Sequence, residues 1–286
     1  MPQAVFDLVR PDPRTTSVIF ASPHSGRDYP ADFLASARLD PTTIRSSEDA
    51  FVDDLFRCAA DHGAPVLSAR VPRAFIDLNR APEELDPALI EGVRRVAHNP
   101  RIASGLGVIP RVVAGGRVIR SGKIALDEAH DRIATAWRPY HDTLQTLIDE
   151  SHAAFGEAIL IDCHSMPHEA LEQAARNGPG PDVVLGDRFG AAASASVVDR
   201  IDAAFTAEGL RVIRNMPFAG AYIAQHYGRP SRRQHAVQIE IDRALYMDEA
   251  TVTPHAGFDA FHERLQRVVA SIAAIGRPSE RQLAAE

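Results

Sequence analysis

The 286-residue sequence is poor in cysteine, with only Cys58 and Cys163. Two thiols cannot build the disulfide framework of a small secreted protein, and they provide no Cys-x-x-Cys redox motif. This scarcity is typical of proteins in a reducing compartment, so a cytoplasmic location is expected.

The sequence also lacks long apolar runs and an excess of positive charge. No run approaches the roughly 20 residues that a membrane-spanning helix needs, and the N-terminus lacks the basic start and apolar stretch of a signal peptide. The formal net charge is −7, whereas nucleic acids and anionic membranes bind basic surfaces. Nucleic acid and membranes are therefore not expected as partners, and the oligomeric state is left open.

What the sequence does contain is an alternation of strand-like and helix-like segments. Apolar runs bounded by turn residues predict strands at Ser17–Ala21, Val66–Ala69, Phe75–Leu78, Ala158–Cys163, Val183–Leu185, Val212–Arg214 and Ala236–Ile241. Helical spacing predicts helices at Phe51–Ala59, Ile133–Ile148, Ala195–Phe205 and Phe258–Ile275, and Gly115-Gly116 predicts a hairpin turn. The alternation indicates one α/β domain over residues 1–276, with a mixed, mostly parallel sheet flanked by helices on both faces, followed by a polar tail over 277–286.

Two histidines follow predicted strands. His24 lies in Ser-Pro-His-Ser-Gly after the first strand, and His164 ends the run Ile-Asp-Cys-His. Ligands gather at the carboxyl ends of strands in such sheets, so we expect both imidazoles to bind one metal ion, although each alone could be an ordinary hydrogen-bonded histidine. Side chains alternate along a strand, so Asp162 is expected to orient His164, while Cys163 faces the opposite side as a packing residue.

A hydrolytic zinc site usually has three protein ligands and an open position for water. The third ligand is expected from Glu48-Asp49, just before the predicted helix at Phe51. Either acid could bind the ion or cap the helix, and Asp49 is favoured over Glu48. Other histidines on polar faces or loops are expected to be solvated: His62, His98, His130, His141, His152 and His255.

Polar side chains also surround the predicted strand Phe75–Leu78. Asn79 and Arg80 at its end could hold a substrate carboxylate through a planar fork, and Arg73 could do the same or polarise a carbonyl group. Surface salt bridges are the ordinary alternative for both arginines. The apolar lead-in and the neighbouring asparagine favour the binding interpretation.

A lone acid, Glu240, lies within an apolar run. A buried carboxylate is costly, so Glu240 is expected to be paired, for example with Arg243 or Arg232, or neutral, or close to a metal ion where it acts as a general base. Upstream, Tyr222 in a loop rich in proline and glycine could close over a substrate. The locally basic stretch around Arg232 suits an acidic substrate despite the negative total charge.

Taken together, these segments resemble the N-formylglutamate amidohydrolase family. The matching stretches cover roughly residues 15–250 in the family's order and are SPHSG, SEDAFVDDLF, PRAFIDLNR, GVIPR to RPYH, IDCHSMP, DVVLGD, NMPFAGAYIAQHYGRP and HAVQIEIDRALY. The DLNR segment also occurs in the related aspartoacylase and succinylglutamate desuccinylase group, which resembles zinc carboxypeptidases in fold and mechanism.

The resemblance implies a zinc-carboxypeptidase-like fold with one Zn²⁺ per chain. The ion would be held by His24, His164 and an acid from Glu48-Asp49. In one respect the sequence departs from the carboxypeptidase pattern His-x-x-Glu, because the residue three after His24 is Arg27. The acidic ligand must therefore come from farther along the chain.

The resemblance further implies the reaction and the residues around the substrate. Glu240 would be the general base, Arg73 the residue that polarises the carbonyl group, and Asn79 and Arg80 the carboxylate clamp. The reaction would convert N-formyl-L-glutamate and water into formate and L-glutamate, within histidine catabolism.

Three alternatives remain open at this point. A sister enzyme would remove an acetyl or succinyl group with the same residues. A metal-free hydrolase would use Cys163 as its nucleophile and would resist chelators. A non-catalytic protein would bind acidic metabolites without turnover, although the intact set of His24, His164 and Glu240 argues against it.

Overall fold

The computed structural model describes residues 4–94, 99–171 and 180–278. The strands are β1 (Phe6–Val9), β2 (Val18–Ser22), β3 (Val66–Ala69), β4 (Val112–Val113), β5 (Arg117–Val118), β6 (Ala158–Met166), β7 (Val183–Gly186), β8 (Val212–Arg214), β9 (Gln234–Asp242), β10 (Met247–Asp248) and β11 (Thr253–Pro254). The α-helices are α1 (Ala31–Ser36), α2 (Val52–Phe56), α3 (Pro100–Ala103), α4 (Leu126–Arg132), α5 (Arg138–Phe155), α6 (Ala195–Ala207), α7 (Tyr222–Tyr227) and α8 (Phe258–Ile275). His98 and most of the predicted polar tail lie outside the described residues.

Seven of these strands form one twisted sheet in the order β1-β3-β2-β6-β9-β7-β8. The central strands β3, β2, β6 and β9 are parallel to one another. Antiparallel pairs join β1 to β3 and β7 to β9, and β8 lies parallel to β7. The sheet is therefore mixed and mostly parallel, as the alternation of strands and helices predicts.

Side chains that alternate along the strands build an apolar core on each face of the sheet. In β2, Val18 and Phe20 pack with α2, α6 and α8, whereas Ile19 and Ala21 pack with α5 and α7. Burial of a large aliphatic side chain contributes about 1.5–3 kcal/mol, so both helical layers are held firmly. The predicted fold class, a sheet flanked by helices on both faces, is confirmed.

Most predicted elements are present, and one predicted strand is wrong. The segment Phe75–Leu78 forms turns, because the backbone amides of Phe75 and Ile76 both donate to the Pro72 carbonyl and the Asp77 amide donates to that of Val108. These amides are therefore not available to a neighbouring strand. The edge strand β1 is an element that the sequence pattern did not predict.

The long helical stripe predicted from Ile133 is divided by a π-helical turn, Ile133–Trp137, between α4 and α5. Pro139 follows closely on this π-helical turn and cannot donate a backbone hydrogen bond to it. The hairpin at Gly115-Gly116 is present between β4 and β5, and both glycines have positive φ. Among the described helices, none is both long and apolar enough to cross a membrane.

Candidate metal centre and substrate pocket

A pocket of about 580 Å³ lies at the carboxyl ends of the central strands. His24 follows β2, and His164 and Glu240 lie near the ends of the neighbouring strands β6 and β9. Because these three strands are parallel and adjacent, their ends meet at one edge of the sheet. All three side chains line the pocket.

Two histidines and one aspartate form a buried group in this pocket. The His164 Nδ1 atom is 2.8 Å from Asp49 Oδ2, and the His24 Nδ1 atom is 3.4 Å from the same oxygen. The imidazole rings have centroids 4.7 Å apart. The potential ligand atoms of His24, Asp49 and His164 all lie within 4.8 Å of one another, so this group could hold a metal ion.

Local backbone contacts fix this geometry. The Asp49 amide donates to the His24 carbonyl over 3.0 Å, which ties the two segments together. Gly26 permits the tight turn after His24, because a Cβ atom there would lie 2.0 Å from the Val71 carbonyl oxygen. The loop of His24 therefore packs directly on the chain that follows β3, and any side chain at position 26 would displace it.

A carboxylate supports the second nitrogen of each imidazole ring. Asp77 Oδ1 lies 2.7 Å from His24 Nε2, and Asp162 Oδ1 lies 2.9 Å from His164 Nε2. For His24, the Asp77 carboxylate favours the tautomer in which Nε2 carries the hydrogen and Nδ1 offers its lone pair to a metal ion. Burial opposes the charged form of His164, but Asp162 and Asp49 outweigh it and raise its pKa well above the usual value.

The residues present fit a divalent metal ion such as zinc. His24 Nδ1 is buried and has no hydrogen-bond partner among the described residues, although a buried polar atom normally has one. It faces a carboxylate oxygen and a second imidazole nitrogen, the mixed nitrogen and oxygen donors that zinc accepts. A bound ion would satisfy this orphaned nitrogen.

Glu240 stands beside this group on the neighbouring strand. The Cα atoms of His164 and Glu240 are direct partners in the β6–β9 ladder. One oxygen of Glu240 accepts a hydrogen bond of 2.7 Å from Gln238 Nε2. Burial, reinforced by the nearby charge of Asp49 and opposed by His164, raises the pKa of Glu240 to about 7. A carboxylate with this pKa can exchange a proton near neutral pH.

Arginines form the other charged part of the pocket. Arg73 Nε donates to Asp77 Oδ2 over 3.0 Å. Arg80 is more deeply held: its Nε donates to the Leu106 carbonyl and its Nη1 to the Asn79 carbonyl, each over 3.1 Å. Burial, helped by Arg73 and opposed by Asp77, lowers the pKa of Arg80.

Comparisons with known proteins agree with this geometry. The model of the N-formylglutamate amidohydrolase family matches residues 16–247. The chain belongs to this family. N-formylglutamate deformylases of Pseudomonas putida and Pseudomonas aeruginosa are both 30% identical to it, over 81% of this chain and 82% of theirs.

The crystal structure of N-formylglutamate amidohydrolase from Ralstonia eutropha JMP134 superimposes with a TM-score of 0.89. It is 34% identical to this family member, and the match covers 96% of this chain and 99% of that one. A gene product of Agrobacterium tumefaciens shares the fold, with a TM-score of 0.61 and 16% identity over 94% of this chain and 96% of that one.

In this N-formylglutamate amidohydrolase family member, three residues expected at the site lie elsewhere. The Glu48 carboxylate accepts from the Tyr29 hydroxyl over 2.6 Å and from Arg45, away from the histidines. Tyr222 stacks on His226 and packs against Trp137 rather than lining the pocket. Arg232 ends a 3-10 turn before β9, and the strand residues from Gln234 to Glu240 alone span about 20 Å at the usual rise of a strand.

Asn79 lines the pocket, but both polar atoms of its side chain already have hydrogen-bond partners within the protein. Its Nδ2 donates to Asp162 Oδ2 over 3.0 Å and lies 2.9 Å from His164 Nε2. Its Oδ1 accepts from the backbone amide of Ile223 over 2.7 Å. These contacts favour a positioning role for Asn79, between β6 and α7, over a direct contact with substrate.

Other residues of the site were not recognised from the sequence. Asp77 lies within the DLNR segment, and Gln238 lies two residues before Glu240 on the same face of β9, so both had a usable signal. Arg243 was considered as a partner of Glu240, but its Nη2 donates to Asp49 Oδ1 over 3.0 Å. Arg101 also lines the pocket, and no pattern in the sequence around it indicates a role at the site.

The expectation that His141 is solvated is wrong. The His141 ring is buried, stacks on Trp137 and accepts or donates through both nitrogens, at 2.8 Å from the Leu78 carbonyl and 2.9 Å from the Tyr227 hydroxyl. Trp137 Nε1 donates to the Arg80 carbonyl over 2.9 Å. The start of α5 thereby braces the backbone on both sides of Asn79. Burial lowers the pKa of His141 to about 3, so the ring stays neutral.

Proposed function

We propose that this protein hydrolyses N-formyl-L-glutamate to formate and L-glutamate with the help of one bound zinc ion. The relatives named N-formylglutamate deformylase support the substrate. The observation that carries the chemistry is the buried group of His24, Asp49 and His164 beside Glu240 in one pocket.

In this proposal His24, Asp49 and His164 would hold the zinc ion. When bound, zinc supplies Lewis acidity, which activates water and polarises a carbonyl group. Asp77 keeps the His24 imidazole in the ligand tautomer, and Asp162 places a negative charge beside Nε2 of His164. Arg243 binds the Asp49 oxygen that faces away from His164, so it limits the rotation of that carboxylate.

Glu240 is the general base of the proposed reaction. Its carboxylate accepts the proton of the attacking water and passes it to the leaving amine of glutamate. Gln238 holds one oxygen of Glu240, which leaves the other free for this transfer. Arg73, fixed by Asp77, donates to the oxygen on which negative charge develops. Arg80 binds the α-carboxylate of the substrate.

Formate release with and without a chelator tests this function. We expect the purified protein to contain about one zinc ion per chain and to release formate from N-formyl-L-glutamate. Removal of the ion is expected to abolish release, and added zinc to restore it, because the activating ion is lost and regained. Elemental analysis beside a formate assay provides the measurement.

The same assay addresses the alternatives. A sister deacylase would prefer N-acetyl-L-glutamate or N-succinyl-L-glutamate over the formyl compound under identical conditions. Activity that survives complete removal of metal would contradict the zinc proposal. The thiol alternative has no structural support, because Cys163 lies in the apolar core on the opposite face of β6 and burial raises its pKa.

Asp77→Asn is expected to weaken zinc binding about 10- to 100-fold. The substitution keeps the shape of the side chain but removes the negative charge that supports His24 Nε2. Competition with a chromogenic chelator measures the zinc affinity. Asp54→Asn, which alters a more exposed carboxylate outside the pocket, is the matched control. An unchanged zinc affinity in Asp77→Asn would show that Asp77 does not support a ligand.

A further inference from the structure

The pocket contains two guanidinium groups that lack a close carboxylate partner. Arg73 and Arg243 are paired with Asp77 and Asp49, respectively. Arg80 donates hydrogen bonds to backbone carbonyls, and its Nε lies 4.0 Å from the Asp77 carboxylate. Arg101, on α3, has no ion-pair or side-chain hydrogen-bond partner among the described residues, yet it lines the same pocket.

One short loop holds these two arginines together. Leu106 accepts from Arg80 Nε through its carbonyl, and its amide donates to the Arg101 carbonyl over 2.8 Å. The Asn99 side chain caps α3 and accepts from the Arg101 amide over 2.9 Å. The positions of Arg80 and Arg101 are therefore linked by backbone contacts rather than by a shared acid.

Among the described residues, Asp77 and Glu84 act on Arg80 only from a distance, and Arg101 has no acidic partner. Within the part of the chain that the structure describes, the acidic side chains that line the pocket are Asp49, Asp77 and Glu240, which belong to the metal end. Around Arg101 the lining is formed by uncharged residues, among them Ser104 and Leu106. Two like charges placed together repel each other, and an anionic ligand that bridges them relieves the repulsion.

We infer that Arg101 is a specificity-determining residue that binds the side-chain carboxylate of an acidic substrate, while the buried Arg80 binds the α-carboxylate. The inference rests on the proposed function and names the group that selects glutamate within it. Arg80 lies beside Asp77 and therefore near the metal group, as an α-carboxylate next to the scissile amide requires. Arg101 is exposed at the outer end of the pocket, where the side chain of a bound acidic substrate reaches.

This arrangement also replaces the role expected for Arg232. A dicarboxylate needs two cationic sites on one pocket, and Arg232 lies at the far end of β9. Helix α3, which carries Arg101, provides the second cationic site of the pocket. Neutral amino acids would leave Arg101 without a partner, so the structure favours acidic substrates over neutral ones.

Arg101→Met tests the inference with two nearly isosteric substrates. We expect kcat/KM for N-formyl-L-glutamate to fall about tenfold or more, mainly through KM, because a charged hydrogen bond is lost. The value for N-formyl-L-glutamine is expected to stay the same. Arg57→Met, which changes an exposed arginine outside the pocket, is the matched control and should behave as the unmodified protein.

An equal fall with both substrates, or an unchanged ratio between them, would overturn the role of Arg101. Calorimetric binding of L-glutamate and L-glutamine to the zinc-loaded protein gives a second readout that needs no turnover. If the unmodified protein fails to release formate, the proposed function is wrong, whereas a preference for L-glutamate that disappears in Arg101→Met would still support the binding site. Loss of that preference in Arg57→Met as well would contradict it.

Discussion

Glu240→Gln is expected to lower kcat for N-formyl-L-glutamate by about 10²- to 10⁴-fold while zinc stays bound. The amide has the size of the carboxylate and can still accept from Gln238, so the pocket keeps its shape. It cannot take a proton, however, and the transfer from water to the leaving amine has no carrier. Steady-state kinetics, together with the zinc content of the variant, measure both parts of the expectation.

A control separates this effect from a general loss of charge. Glu263→Gln removes an exposed carboxylate on α8, outside the pocket, and should leave kcat unchanged. If Glu240→Gln keeps nearly full activity, another group must be the base. If the variant loses its zinc, Glu240 instead contributes to metal binding.

His164→Ala is expected to abolish both zinc binding and formate release. The variant loses one of three ligands, so its zinc affinity should fall by more than the roughly 10- to 100-fold expected when a supporting carboxylate is lost. It also removes the imidazole that lies between the buried Asp49 and Asp162 carboxylates. Loss of a partner for a buried polar group costs about 1–3 kcal/mol, so the variant should also unfold more easily.

Zinc content, formate release and thermal unfolding of the variant measure these effects. Cys163→Ala is the informative control, because it changes the neighbouring side chain on the opposite face of β6. It should keep both zinc and activity. A Cys163→Ala protein without activity, or a His164→Ala protein with normal zinc affinity, would contradict the metal centre.

The sequence predicts the sheet well because its strands are short apolar runs with clear boundaries. β3, β8 and α8 begin and end where the pattern places them. The failure at Phe75–Leu78 has a physical cause, since an apolar run shows only that side chains are buried. Whether its backbone amides reach a neighbouring strand depends on the Pro72 and Val108 carbonyls, which the pattern does not reveal.

The candidate site shows the same limit at the level of single side chains. Glu48 and Asp49 are adjacent and chemically alike, and the choice between them depends on a 3-10 turn that directs Glu48 towards Tyr29 and Arg45. The basic stretch around Arg232 is visible in the sequence as a cluster of charge, but Arg232 does not line the pocket. Arg101 lies in none of the sequence motifs, and only the fold brings it to the pocket.

The ladder between β6 and β9 places His164 directly opposite Glu240. Because successive residues of a strand face opposite sides of a sheet, inserting one residue between Gln238 and Glu240 would turn the acid into the apolar layer beneath. A two-residue insertion would restore the face but move the acid about 7 Å along the strand, beyond reach of its partner. The distance between the proposed base and the neighbouring imidazole is therefore set by an exact number of residues within β9.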